Sequence, residues 1–297
     1  MFLIGTDEAG YGPNLGPLVV SATAWSVPRK VDLSELHQML WKHGIDIDDS
    51  KKLYRSGGPL APLEFGAWIA RFSTEKMRTT VEMSDNDPCW QGDAFDKENL
   101  IPGPATERLE LYTNRFQKIL EHFGVRLIRL RSHIVGVAPF NQRLDACGSK
   151  GTLLSEITLE IVRDLLVNAP EYRFNVAVLC DKHGGRNRYL DVLNRFFPEE
   201  LFRVVEESRP LSVYRSNDLE FRFQSKGESQ LPVALASMLS KYLREISMLQ
   251  FNAFWNSHLP DLRPTAGYPV DAKRFKAEIA AVQERLGIPD DLIWRKK

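Results

Sequence analysis

The chain has 297 residues and a mass of 33.9 kDa, and its 43% hydrophobic and 26% charged residues give the balance of an ordinary globular protein, not a disordered or fibrous one. Lys and Arg total 39 against 39 Asp and Glu, so no single-sign field covers the molecule and affinity for a charged partner has to be local. The three cysteines, Cys89, Cys147 and Cys180, are odd in number and lack paired metal-ligand spacing, which argues against a disulfide framework or zinc module. With no signal-peptide pattern and no window of about 18 apolar residues, a cytoplasmic location without a membrane span is expected.

The chain opens MFLIGTDEAGYGPNLGPLVVSATAW. Residues 2–7 and 16–25 read as strands joined by the Gly/Pro-rich loop AGYGPNL, which predicts a hairpin at the start of the sheet. The segment from about 72 to 104 is dense in Asp, Asn, Gly and Pro and reads as an insertion, with a helix following near 105–122. VRLIRLRSHIV at 125–135 reads as a strand, and 152–168 as a helix with Leu154, Ile157, Ile161 and Leu165 on one face. FNVAVLCD at 174–181 is a continuous apolar run, the pattern of a strand covered on both sides. GRNRYLDVLNRFF reads as a helix, and FRVVEES and LEFRFQSK as strands. A long helix from about 232 to 255 carries Leu235, Leu239, Tyr242, Ile246 and Leu249 at steps of four and three, and a last helix spans roughly 271–287. A strand hairpin followed by strand/helix alternation predicts an α/β fold, a mixed central sheet with helices on its faces. The organisation expected is one domain over 1–297, with the 72–104 insertion and a helical C-terminal extension over 249–297.

Acids close three of these strands. Asp7 and Glu8 end the first, Asp181 ends the buried one, and Glu228 in QSKGES follows another just before the long helix. Acids commonly end strands simply because turns are polar, and for any one of them that explanation suffices. Together they carry more weight, because the ends of neighbouring strands converge in space. Four gathered carboxylates repel one another unless cations neutralise them, and hard divalent ions that take oxygen ligands meet that need.

DEAGYGPNLGPLVV resembles the opening motif of the type 2 ribonuclease H family, and DSKKL at Asp49–Leu53 resembles that family's second signature. VLCD at 178–181 sits where the family has its third acid, and KGESQLPVALASMLSKYLRE is similar to the segment holding the fourth. The motifs stand in the family's order across nearly the whole chain. Glutamate at the fourth place and the wording GTDE resemble the type 3 branch, so the chain is identified as a divergent type 2 member with type 3 features.

That resemblance implies a ribonuclease H-like fold and endonucleolytic cleavage of the RNA strand of RNA–DNA hybrids, or of duplexes containing ribonucleotides, by a monomer. Asp7, Glu8, Asp181 and Glu228 are then the catalytic residues and the ligands of Mg²⁺ or Mn²⁺, with two ions per site expected. In such a site one ion activates water and the other stabilises the leaving 3′ oxygen, giving 5′-phosphate and 3′-hydroxyl products. Substrate contacts are expected from Gly10, Tyr11 and Gly12, whose glycines let the backbone approach a sugar closely. Lys51, Lys52 and Lys226 are candidate phosphate contacts, with solvated lysines as the plain alternative, and Tyr268 in the Gly-Tyr segment is a stacking or packing residue. The family usually has Arg where this chain has Tyr11, which leaves open whether a single ribonucleotide is recognised. His183 stays outside the catalytic set, and Arg244 and Glu245 read as supporting residues. Two other readings stand beside this one: a member that holds nucleic acid with weakened catalysis, and a nuclease of the same fold with another nucleic-acid substrate.

Overall fold

The computed structural model describes residues 1–55, 57–74, 77–82, 107–168 and 175–297. Its strands form one mixed sheet in the order β3-β4-β2-β1-β5-β8-β7-β6. The expected hairpin is present: β1 (Phe2–Ala9) pairs antiparallel with β2 (Leu18–Ser26), which pairs antiparallel with β4 (Arg126–Val135). On its other side β1 runs parallel to β5 (Val176–Asp181), and β5 parallel to β8 (Leu219–Gln224). Outside β8 the short antiparallel strands β7 (Leu211–Arg215) and β6 (Arg203–Glu207) close the sheet. The β7 strand is an addition to the expected set. Its five residues lie between two turn-forming stretches that obscure the alternation.

Part of the region expected as an insertion belongs to the sheet, because β3 (Met77–Glu82) pairs parallel with β4 at the edge. Residues 83–106 lie outside the described residues. The helix after them is α4 (Glu107–His122).

Two hydrophobic layers flank the sheet. On one face Leu3, Val19 and Trp25 pack against α1 (Leu33–Lys42), α3 (Ala61–Phe72), α4 and the long α8 (Leu231–His258). On the other face Phe2, Ile4, Leu18 and Val20 meet α5 (Val137–Cys147), α6 (Lys150–Val167) and α7 (Leu190–Phe196). The face predicted for α6 is fully inward, with Leu154, Ile157, Ile161 and Leu165 all buried. In α8 the stripe holds for Leu235, Leu239 and Tyr242 and then drifts outward, leaving Leu249 59% exposed. That drift falls where α8 leaves the sheet and joins a third cluster. There Met248, Phe251 and Trp255 pack on α9 (Pro269–Arg285) through Phe275 and Ile279, and Leu15 from the β1–β2 loop is part of the same cluster.

One close approach sets the geometry of everything that follows. A Cβ on Gly5 of β1 would lie 2.3–2.5 Å from the Pro232 backbone and side chain at the start of α8, so only glycine lets helix and strand come this near. Thr23 Oγ1 on the neighbouring strand donates to the Pro232 carbonyl at 2.8 Å and fixes the helix end there.

Candidate active site

The register brings the carboxyl ends of three adjacent parallel strands to one edge. Thr6 stands opposite Cys180 and Asp181 opposite Gln224, so Asp7 follows the end of the β1–β5 ladder beside Asp181. A short 3₁₀ turn, Gly227–Ser229, carries Glu228 between β8 and α8. The Gly227 N–H donates to Asp181 Oδ1 at 3.2 Å and ties that turn to β5. Asp7 and Glu228 are each only 8% exposed, unlike acids in ordinary solvated turns.

Burial and crowding raise Asp7, Glu8 and Asp181 together. The Asp7 carboxyl is pushed up to about 7, first by burial and then by the charges of Asp181 and Glu228; hydrogen bonds from Ser237 and from the Glu8 N–H, at 2.8 Å to Oδ1, pull the other way. Glu8 is raised well above the ordinary carboxylate range by burial and by the charges of Asp7 and Asp181. Asp181 is raised by burial and by Glu228. Each acid feels others of the set, and the cation among them is Lys51, whose Nζ stands 3.4 Å from Glu228 Oε1 and lowers both Glu8 and Asp181. Among the described residues no three His, Cys, Asp or Glu side chains stand close enough to form a ready ligand cluster. The acids are within electrostatic reach of one another without being a closed shell.

The donor set fits a hard divalent cation in its chemistry. It is all oxygen, and it carries more negative charge than Lys51 balances. Asp7, Glu8, Asp181 and Glu228 are the residues that would hold Mg²⁺ or Mn²⁺.

Helix α8 and the DSKKL segment support this edge. Ser240 Oγ donates to the Asp7 carbonyl at 2.9 Å, and Ser237 Oγ donates to Ser50 Oγ at 3.0 Å. Ser237 therefore links the first acid, the second motif and the helix. Asp49 caps α2 (Ser50–Leu53), its carboxylate accepting from the Lys51 N–H at 2.9 Å, which aims the turn at Glu228. Tyr54 Oη donates to Glu245 Oε2 at 2.9 Å, and Lys241 pairs with Glu245 at 2.5 Å. The expected supporting residue Glu245 thus anchors the DSKKL segment. Ser237, Ser240, Gly5 and Tyr54 escaped the sequence reading. Small residues spaced three apart in LASMLSKY were the available signal for a helix face that approaches closely.

The other expected residues fall into two groups. Gly10 and Tyr11 are half-buried and Gly12 is exposed, in the loop directly after Glu8. Tyr11 folds over the turn that follows Asp181: a Cβ on Gly184 would lie 2.1 Å from its Oη. Lys51 is beside Glu228 with its side chain 79% exposed. Lys226 is exposed and left-handed at φ 64°, immediately before the Glu228 turn. Lys52 is instead paired with Asp48 at 2.9 Å. Tyr268 is half exposed at the start of α9, and the preceding Gly267 carbonyl accepts from the Asn14 and Leu15 N–H groups at 2.8 and 3.3 Å. His183 is buried against Tyr189 and Phe223, its Nδ1 2.9 Å from Ser155 Oγ; burial pushes it down to about 3, so it is a neutral packing group.

No protein-family model and no curated protein matches the chain. Among solved structures, it is similar to RNase HII from Archaeoglobus fulgidus in its complex with PCNA: 17% identity, a TM-score of 0.47, and 100% of this chain and 95% of that one covered. It is also similar to ribonuclease H2 from Pyrococcus horikoshii OT3, with 14% identity, a TM-score of 0.49, and 99% and 92% covered. A third similarity is to Bst-RNase HIII in complex with Mn²⁺, with 15% identity, a TM-score of 0.43, and 99% of this chain and 66% of that one covered. Among the described residues no helix is long and apolar enough to cross a membrane.

Proposed function

We propose that this chain is a metal-dependent endoribonuclease that cuts the RNA strand of RNA–DNA hybrids and leaves 5′-phosphate and 3′-hydroxyl ends. The observation that carries the reading is the burial of mutually repelling carboxylates at the ends of three adjacent parallel strands, beside a glycine loop. The four motifs in family order support it independently.

Divalent ions, when bound, supply charge neutralisation, an activated water and stabilisation of the leaving oxygen. The chain's own residues do the rest. Asp7, anchored by the Glu8 N–H and by Ser240 on its carbonyl, would be a ligand of the ions. Asp181, held by the Gly227 N–H, and Glu228, neutralised by Lys51, complete the oxygen set with Glu8. The Gly10–Tyr11–Gly12 loop meets the sugar-phosphate backbone, where the 2′-hydroxyl distinguishes RNA from DNA. Lys51 and Lys226 approach phosphates, and Lys52, already paired, contributes less.

The test is incubation with labelled RNA–DNA hybrid, double-stranded RNA, double-stranded DNA and a duplex bearing one ribonucleotide, each with Mg²⁺, Mn²⁺ or EDTA. Metal-dependent cutting of the RNA strand of the hybrid is expected. Tight binding without cutting, or cutting confined to DNA, overturns the assignment.

A further inference from the structure

The loop between the acidic end of β1 and β2 is held from outside by residues far along the chain. Gly10 O accepts from Arg295 Nη1 at 2.5 Å and Tyr11 O from Arg295 Nη2 at 3.2 Å. Asn14 O accepts from the Arg295 N–H at 2.8 Å, and Asn14 Nδ2 donates back to Arg295 O at 3.4 Å. Leu15 O accepts from Arg244 Nη2 at 3.5 Å, while the Leu15 side chain is buried in the α8–α9 cluster. Four loop carbonyls are thereby captured by two buried arginines. Gly10 itself has φ +88°, and a Cβ there would lie 2.5 Å from Arg244 Nε, so the loop backbone lies directly on that side chain.

Arg295 is an unusual buried cation. It is fully buried with its guanidinium 3.9 Å from the centre of the Phe140 ring, and among the described residues its side-chain acceptors are the two loop carbonyls. Its Nε has no acceptor among the described residues. Burying a guanidinium with two carbonyls and a ring face as its partners, and no carboxylate, is a poor way to add stability, since apolar residues of similar volume commonly serve as well or better. What the planar fork provides is geometry: two donors fixed relative to each other, fitting two successive carbonyls.

We infer that Arg295 is a positioning residue that locks the Gly10–Tyr11–Gly12 backbone into the shape that meets nucleic acid, which makes the C-terminal helical unit part of the site. The inference deepens the proposed function and rests on it for the ligand, but not for the locked loop.

Two variants and a control test it. Arg295→Met keeps the apolar contact with Phe140 and removes both donors; Arg295→Lys keeps the charge without the fork. Lys276→Met is the control, because Lys276 belongs to the same unit but pairs with Asp290 and sits over Trp294. Hydrogen exchange is followed for residues 10–16 and for the core amides of β1 and β5, alongside kcat and KM on hybrid. In Arg295→Met the loop amides should exchange about tenfold faster with the core unchanged, and KM should rise about tenfold with kcat changed less, the loss of a charge-assisted hydrogen bond. Arg295→Lys should restore part of both, and Lys276→Met should leave the loop as in wild type. Loop exchange at the wild-type rate in the Arg295 variants, loop and core loosening together, or equal loosening in Lys276→Met each overturns the inference. If Arg295→Met does not fold, Arg295→Lys is judged by the same exchange criterion. If the wild-type protein cuts no hybrid, the proposed function fails while the exchange data still decide the positioning role.

Discussion

Replacing Asp7 by Asn should remove activity and at the same time stabilise the metal-free protein at neutral pH. The Asp7 carboxyl is pushed from 3.8 to about 7 by burial and by Asp181 and Glu228, so ionising it inside the fold costs on the order of 4 kcal/mol. The folded-state value lies above the unfolded one, so the native state holds the extra proton between them. The stability that Asp7 contributes is complete below 3.8, falls as pH rises through the window to about 7, and stays lost above it. Asn keeps the acceptor for the Glu8 N–H and carries no charge, and it also relieves Glu8, which Asp7 raises. Thermal and urea unfolding in EDTA, from about pH 4 to about pH 8, should therefore show Asp7→Asn gaining with pH, reaching roughly 5–10 °C in Tm at the alkaline end. Millimolar Mg²⁺ should raise the wild-type Tm and raise that of Asp7→Asn less, since an ion that binds only the native state stabilises by mass action. A variant that follows the wild-type pH dependence, or that is less stable at every pH, would refute the picture of a strained carboxylate cluster.

Three further outcomes are expected. Gly5→Ala places a methyl within 2.3–2.5 Å of Pro232, so α8 must shift from β1; a loss of about 1–3 kcal/mol or more in urea unfolding, with activity falling further than stability explains, is the expected result. His183 is pushed down from 6.5 to about 3, so the unfolded chain takes up its proton first and stability falls as pH drops through that window; in His183→Gln this part of the acid sensitivity should disappear, opposite in sign to the Asp7 effect. Lys51→Met should change stability by less than about 1 kcal/mol, because the side chain is 79% exposed, while weakening hybrid binding and reducing its salt slope by about one, measured by titration at several ionic strengths.

Much of the sheet was readable because its strands are either apolar throughout or alternate cleanly, as in the β1–β2 hairpin, β4 and β5. The helices α6 and α8 were readable from their period. Helix α1 was missed although Asp32 caps it, its carboxylate accepting from the Ser34 N–H at 2.8 Å with Glu35 in the first turn. The helix is short, and its inward stripe rests on Leu36 and Leu40 alone, too brief a run for the period to stand out. Beyond the β1–β2 hairpin, strand order was not legible. The string VAVLCD looks the same whether its neighbours are β1 and β8 or any other pair, so the meeting of Asp7 with Asp181 needed the register.

The site was legible in its acids and hidden in what places them. Asp7 reads as a motif residue, but its position depends on Gly5, Ser237 and Ser240, short side chains that let α8 lie against β1. A sequence shows such residues as weak strand and helix formers, and only the packed pair shows why larger ones cannot stand there. Arg295 is the extreme case. Arg295 stands in sequence between Trp294 and two lysines, a charge pattern typical of solvent, yet it is fully buried under the loop while Lys296 pairs with Asp145 at the surface. Local charge patterns predict exposure because a lone buried charge is costly. The prediction fails where backbone carbonyls of a functional loop supply the partners, and such partners leave no mark in the sequence near the arginine.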